Sequence, residues 1–137
     1  MEIGNNMPMI LKFVLFGAAG LMMEVFWTGM GSLINKDRRA TSKTSIWMFF
    51  IYGATAFMTP LIHVIQPFPW FIRGLVYAAA IFLIEYTAGI TMKAAKMCPW
   101  DYSHTRYNVH GVIRLDYAPV WVAVGLIKEF LYFNYFM

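Results

Sequence analysis

Charge is scarce in this sequence: of 137 residues only 13% are Asp, Glu, Lys or Arg, against roughly 25% in an ordinary soluble domain. With 60% hydrophobic residues and a mean hydropathy of +0.56, the deficit excludes a soluble globule. Cysteine is reduced to Cys98 alone, so no intrachain disulfide can form and nothing argues for an oxidising compartment. No G-x-x-x-x-G-K-[ST] run occurs, which excludes ATP hydrolysis through a P-loop. The length leaves no room for a separate catalytic domain beside several membrane helices of about 20 residues each. The first apolar run lacks an A-x-A-like cleavage site and exceeds a signal h-region, so it reads as a retained helix.

What is present is four apolar runs, at about 7–34, 44–65, 70–92 and 118–136. They predict an all-α, polytopic membrane protein, a single integral domain over 1–137 built as a four-transmembrane-helix bundle. Thr44 and Ser45 suit the N-cap of the second helix. Gln66-Pro67-Phe68-Pro69 breaks the chain into a tight turn, and Pro119 suits a first helical turn. The net charge of +4 resides between apolar runs, which favours a membrane surface over nucleic acid. Lys36, Arg38, Arg39 and Lys43 fall in the loop 35–43, and Lys93, Lys96, Arg106 and Arg114 in the loop 93–117. The positive-inside rule then places both loops in the cytoplasm and both termini outside a cell membrane. Trp70, Tyr132 and Tyr135 are expected in the outer aromatic belt. A faint repeat relates Met23-Glu24-x4-Gly29 to Ile84-Glu85-x3-Gly89.

Three acids, Glu24, Glu85 and Glu129, lie inside apolar runs. A charge at a helix centre costs about 2.5 to 3.5 kcal/mol on insertion scales, so each should face the protein interior, a partner or a water-filled cavity. Counted from the helix ends at 1.5 Å per residue, all three lie roughly 12–17 Å deep and are expected to form one layer. Small or polar residues share their faces: Gly17, Gly20, Thr28 and Gly31 with Glu24, Ala78 and Gly89 with Glu85, and Gly125 with Glu129. On the second helix Ser45, Tyr52, Thr55, Thr59 and His63 fall on one side. The acids are therefore candidate ligand, proton or catalytic groups. The alternative is a structural role, by ion pairing with Lys128, Arg73 or Lys12 or by hydrogen bonding as neutral acids.

The other dense stretch is Trp100, Asp101, Tyr102 and Ser103, followed by Arg106, His110, Arg114, Asp116 and Tyr117. Arginines among aromatic rings can receive a phosphate or lipid headgroup. Alternatively the rings anchor the loop while Asp101, Arg106, Arg114 and Asp116 pair among themselves. Cys98, His104 and His110 match no compact metal-ligand spacing, a lone His63 is no haem motif, and Ser103 beside His104 lacks the rest of a triad. No cofactor and no metal are expected.

Several blocks resemble the ABC-transporter type IV family, which also takes in a vertebrate transmembrane-protein group: Glu24-Val25-Phe26-Trp27-Thr28-Gly29, Thr44 to Gly53, Arg73-Gly74, Glu85-Tyr86-Thr87-Ala88-Gly89, Cys98 to Ser103, and Gly111 to Tyr117 with Trp121, Gly125 and Glu129. The resemblance covers about residues 17–129. Phe50 departs from the proline expected in many relatives, which bears on a local kink. The resemblance implies a transport-related role without an assigned substrate, and without a P-loop any such role needs a separate ATPase. The expected function is a permease-like protein that binds a cation, proton or amphipathic solute in a polar interior, as a homo-oligomer or with a partner membrane subunit in the lipid bilayer. A membrane-embedded lipid-modifying or lipid-binding protein and a non-catalytic scaffold subunit remain the alternatives.

Overall fold

The computed structural model describes residues 7–136. Expectations for the two termini fall on residues 1–6 and 137, outside the described residues. Among the described residues the regular structure is helical apart from one short hairpin. Helix α1 spans Met9–Ile34. The second apolar run forms α2, Ile46–Ala54, then a 3-10 stretch Thr55–Met58 and α3, Thr59–Val64. Helix α4 spans Trp70–Ala94. Strands β1 (Asn108–Val109) and β2 (Ile113–Arg114) pair antiparallel. Helix α5 spans Ala118–Leu131 and continues as a π turn, Tyr132–Phe136.

Among the described residues three helical runs, Met9–Ile34, Ile46–Val64 and Trp70–Ala94, are long and apolar enough to cross a membrane. At 1.5 Å per residue the 26 residues of α1 reach about 39 Å, enough for a hydrocarbon core of about 30 Å. The fourth run keeps its expected bounds, 118–136, but only 14 residues of it, about 21 Å, are α-helix before the winding loosens into the π turn. The second run is interrupted because Thr55 turns its hydroxyl back onto the Tyr52 carbonyl and Pro60 brings no N–H to the start of α3. Ser45 caps the run as its sequence predicts, accepting from the Trp47 N–H at 3.3 Å.

The described residues divide into two compact units, 8–57 and 58–136, the latter taking in Met7. In the first, α1 and α2 pack where glycine removes side-chain bulk. A Cβ on Gly20 would lie 2.1 Å from Tyr52 Cγ, and one on Gly17 2.7 Å from the Phe49 carbonyl oxygen. Only Phe16, Gly17, Gly20 and Gly29 of α1 are buried; its remaining apolar surface, including Ile10, Phe26 and Ile34, suits lipid rather than water. In the second unit, α4 and α5 meet at Gly125, whose Cβ would lie 2.3 Å from Tyr77 Cβ. Small residues at these crossings let helices approach in a solvent that provides no hydrophobic drive between them.

Gly29 and Gly89, paired in the faint repeat, play matching parts. Each lies near the C-terminal end of a long helix where the following segment folds back. A Cβ on Gly29 would meet Ser42 Oγ at 2.8 Å, and one on Gly89 would meet Val112 Cβ at 2.7 Å and Trp100 Cζ2 at 3.1 Å.

Candidate functional site

Glu129 is the most completely engaged of the three intramembrane acids. It is buried on α5 at 8% exposure. Its Oε1 accepts from Arg73 Nε at 2.8 Å, the Tyr77 hydroxyl at 2.6 Å and Gln66 Nε2 at 2.8 Å, and its Oε2 accepts from Arg73 Nη2 at 3.2 Å. Arg73 also donates through Nη1 to the Phe68 carbonyl at 2.7 Å. Carboxylate, guanidinium and phenol thus fasten α5 to α4 and to the turn that precedes α4. One helical turn further along α5, the Tyr132 hydroxyl and His63 Nε2 are 2.7 Å apart. Tyr132 was expected in the outer aromatic belt; it is instead 3% exposed, because its hydroxyl finds this partner inside the unit.

Glu24, in the other unit, is half-buried. Its Oε1 accepts from the Tyr52 hydroxyl at 2.7 Å, a contact that depends on the close approach of α2 at Gly20. One turn on, the Thr28 hydroxyl donates to the Glu24 carbonyl at 2.8 Å and accepts from the Lys43 N–H at 3.0 Å, tying the returning loop to the helix. Compared with Glu129, Glu24 meets one neutral donor rather than a guanidinium, a phenol and an amide. Glu85, on α4, is half-buried, with one carboxylate oxygen enclosed.

The stretch 95–117 folds into a small lobe on α4. Strands β1 and β2 are joined by a turn in which His110 (φ 54°) and Gly111 (φ 73°) both take left-handed backbone, as a type I′ hairpin turn requires. Trp100 donates from Nε1 to the Val112 carbonyl at 2.8 Å, and the Tyr102 N–H donates to the Gly111 carbonyl at 2.8 Å. Asp101 accepts from the Ser103 N–H at 2.9 Å, and this bond with the Ser103 hydroxyl holds the Asp101 carboxyl below its usual range. Arg114 forms a two-pronged pair with Asp116, 3.0 Å from Nε and 2.7 Å from Nη2. Its guanidinium carbon lies 4.2 Å from the Tyr117 ring centre and 5.9 Å from that of Tyr102. The pairing pushes Asp116 down and Arg114 up from their ordinary values.

Apart from Glu85 on α4, the candidates fall into three places. Glu24 and Tyr52 meet; Glu129 meets residues outside the candidate set; and Trp100, Asp101, Tyr102, Ser103, Arg114, Asp116 and Tyr117 share the lobe. The guanidinium expected to receive a phosphate is occupied by Asp116 and two rings. Cys98 Sγ donates to the Trp100 carbonyl at 3.2 Å, and His110 Nδ1 is 2.9 Å from the Tyr86 hydroxyl. Gln66, in the turn before α4, and Tyr77, on α4, carry no sequence signal of their own.

A family model described as "Putative ABC-transporter type IV" matches residues 11–136. The chain belongs to this family. The match covers nearly the whole chain, from the start of α1 to the π turn after α5. The apolar helices and the family together make this a membrane protein of a transporter-type family. No solved structure matches the chain.

Proposed function

We propose that this protein is a permease-like membrane component, a four-helix bundle in which Glu24 with Tyr52 binds a proton or monovalent cation within the membrane. Glu85 is a further candidate on α4, and Glu129 acts as the clasp of the α4–α5 pair. The observation that carries the reading is the contrast in partners. An acid within an apolar span is a functional candidate by default, yet Glu129 has its oxygens filled by four donor contacts from its own chain. Glu24 keeps one neutral phenolic donor, which can turn from a carboxylate toward an incoming cation without leaving a buried charge behind.

The proposed setting follows the loop charges, with loops 35–43 and 93–117 cytoplasmic and both termini outside a cell membrane. So small a bundle is expected to work as a homo-oligomer or beside a partner membrane subunit, with a separate ATPase if transport is ATP-driven. A lipid-modifying site in the 95–117 lobe is the weaker reading, since Arg114 is engaged by Asp116.

The test is proton or rubidium flux in proteoliposomes of the full chain under an imposed potential. Glu24→Gln is expected to abolish flux while leaving the melting temperature in detergent unchanged. Flux equal to wild type in Glu24→Gln would refute the reading.

A further inference from the structure

The C-terminal turns of α1 and the loop 35–43 border an open cavity of about 590 Å³, lined by Trp27, Gly31, Asn35, Asp37, Thr41 and Lys43 among others. That volume lies within the range of small-ligand sites. It belongs entirely to the unit 8–57.

Four observations bear on what it holds. First, Gly31 has no protein reason to be glycine. The other two glycines of α1 named as crossings, Gly17 and Gly20, each abut a neighbour at under 3 Å, whereas a Cβ on Gly31 meets nothing within 4 Å. Glycine is the least favourable residue in a helix after proline, and here the room it leaves opens into the cavity.

Second, the loop is held in a costly shape. Lys36 (φ 70°) and Ala40 (φ 51°) both take left-handed backbone without being glycine. Asp37 fixes this shape, accepting from the N–H groups of Arg39 at 3.0 Å and Thr41 at 3.1 Å, and the Ser42 hydroxyl pins the loop to the Val25 carbonyl at 2.8 Å. Third, among the described residues the Lys43 ammonium and the Asn35 side-chain amide have no hydrogen-bond or ion-pair partner. The cavity therefore offers a cation and an amide donor beside the Asp37 carboxylate. Fourth, the cavity straddles a polarity border. Exposed Trp27, Met30 and Ile34 run along α1 at spacings of three and four, one ridge of the helix, where the apolar span gives way to the basic loop.

A ligand that meets an ammonium, an amide and a carboxylate at one end and an apolar helix ridge at the other is a phospholipid. We propose that this cavity is a phospholipid-headgroup site. Lys43 and Asn35 take the phosphodiester, Asp37 faces the headgroup's amine or hydroxyl, and the acyl chains lie along Trp27, Met30 and Ile34. The site is separate from the Glu24–Tyr52 pair, and it stands whether or not the protein transports protons.

The test is native mass spectrometry of the full chain released from nanodiscs of phosphatidylethanolamine, phosphatidylglycerol or phosphatidylcholine, with glycerophosphoethanolamine and inorganic phosphate as soluble competitors. Wild type is expected to retain one lipid of the amine- or hydroxyl-bearing kinds in preference to phosphatidylcholine, and the soluble competitors to displace none. Lys43→Gln is expected to weaken retention at least tenfold. Gly31→Leu puts bulk into the cavity from a position where an added Cβ meets nothing within 4 Å, so it should abolish retention while its melting temperature in lipid-free detergent is no lower than wild type. Retention unchanged in both variants overturns the proposal. Displacement by glycerophosphoethanolamine or phosphate at the lipid's own concentration overturns it too, assigning the site to a soluble phosphate ester.

Discussion

Replacing Arg73 by methionine keeps the side chain's bulk while removing the cation from Glu129. The two-pronged contact goes, 2.8 Å from Nε and 3.2 Å from Nη2, and a carboxylate on a residue 8% exposed is left with Tyr77 and Gln66 as donors. Removing one partner of a buried ion pair costs about 3–5 kcal/mol. The Arg73 side chain keeps 20% of its exposure, which lets solvent share the screening and sets the expectation near the lower end, about 3 kcal/mol. For a chain of this size that corresponds to a fall of roughly 10 °C in melting temperature. The assay is thermal unfolding in detergent followed by circular dichroism, as a double-mutant cycle with Glu129→Leu. Once Glu129 is apolar no charge is stranded, so the double variant should recover most of the loss. A loss under about 1 kcal/mol for Arg73→Met, or singles that simply add, would show that the pair is not the clasp of α4 and α5.

Three further outcomes follow from the same geometry. Tyr77→Phe removes one hydrogen bond to a charged acceptor at 2.6 Å and is expected to cost about 1.5–3 kcal/mol in the same unfolding assay. Gly20→Ala places a methyl group 2.1 Å from Tyr52 Cγ, so it should shift Tyr52 off Glu24 and lower flux at a stability cost of about 1–3 kcal/mol; flux at the wild-type level would contradict the pairing. Lobe integrity should hold from neutral pH down to mild acid: Asp101 and Asp116 have carboxyls depressed below 3.8, so their contribution is complete above that value and is lost as pH falls through the depressed one. Near-UV circular dichroism, to which Trp100, Tyr102 and Tyr117 of the lobe contribute, reads this out, flat from about pH 7 to 5 and changing below about pH 4; a change near pH 6 would contradict it.

Much of the architecture is legible in the residues because apolar length is a local property. The runs that become α1 and α4 are long, and Pro67 and Pro69 mark the turn before α4. The break in the second run is harder to see. Thr55, Thr59 and Pro60 each tolerate a regular helix start or a surface position, and only together do they loosen the winding at 55–58. The partners of Glu129 are less visible still. Arg73 lies 56 positions away and Gln66 63, and no periodicity within one helix reports which face of α5 meets α4. That is fixed by Gly125, whose missing side chain admits Tyr77. The lobe follows a similar rule: the aromatic pattern at 100–117 shows that it is ordered, but the Arg114–Asp116 pair at a separation of two depends on the extended backbone of β2, which a pattern of rings does not specify.

The central claim is the division of labour between Glu24 and Glu129. It is tested most directly by modifying the full chain in lipid with a membrane-soluble carbodiimide, which reacts with intramembrane carboxyls able to take up a proton, and mapping the adduct by peptide mass spectrometry. The account predicts an adduct on Glu24, enhanced in Tyr52→Phe, and none on Glu129 while Arg73 is present. An adduct on Glu129 with Glu24 unmodified would contradict it.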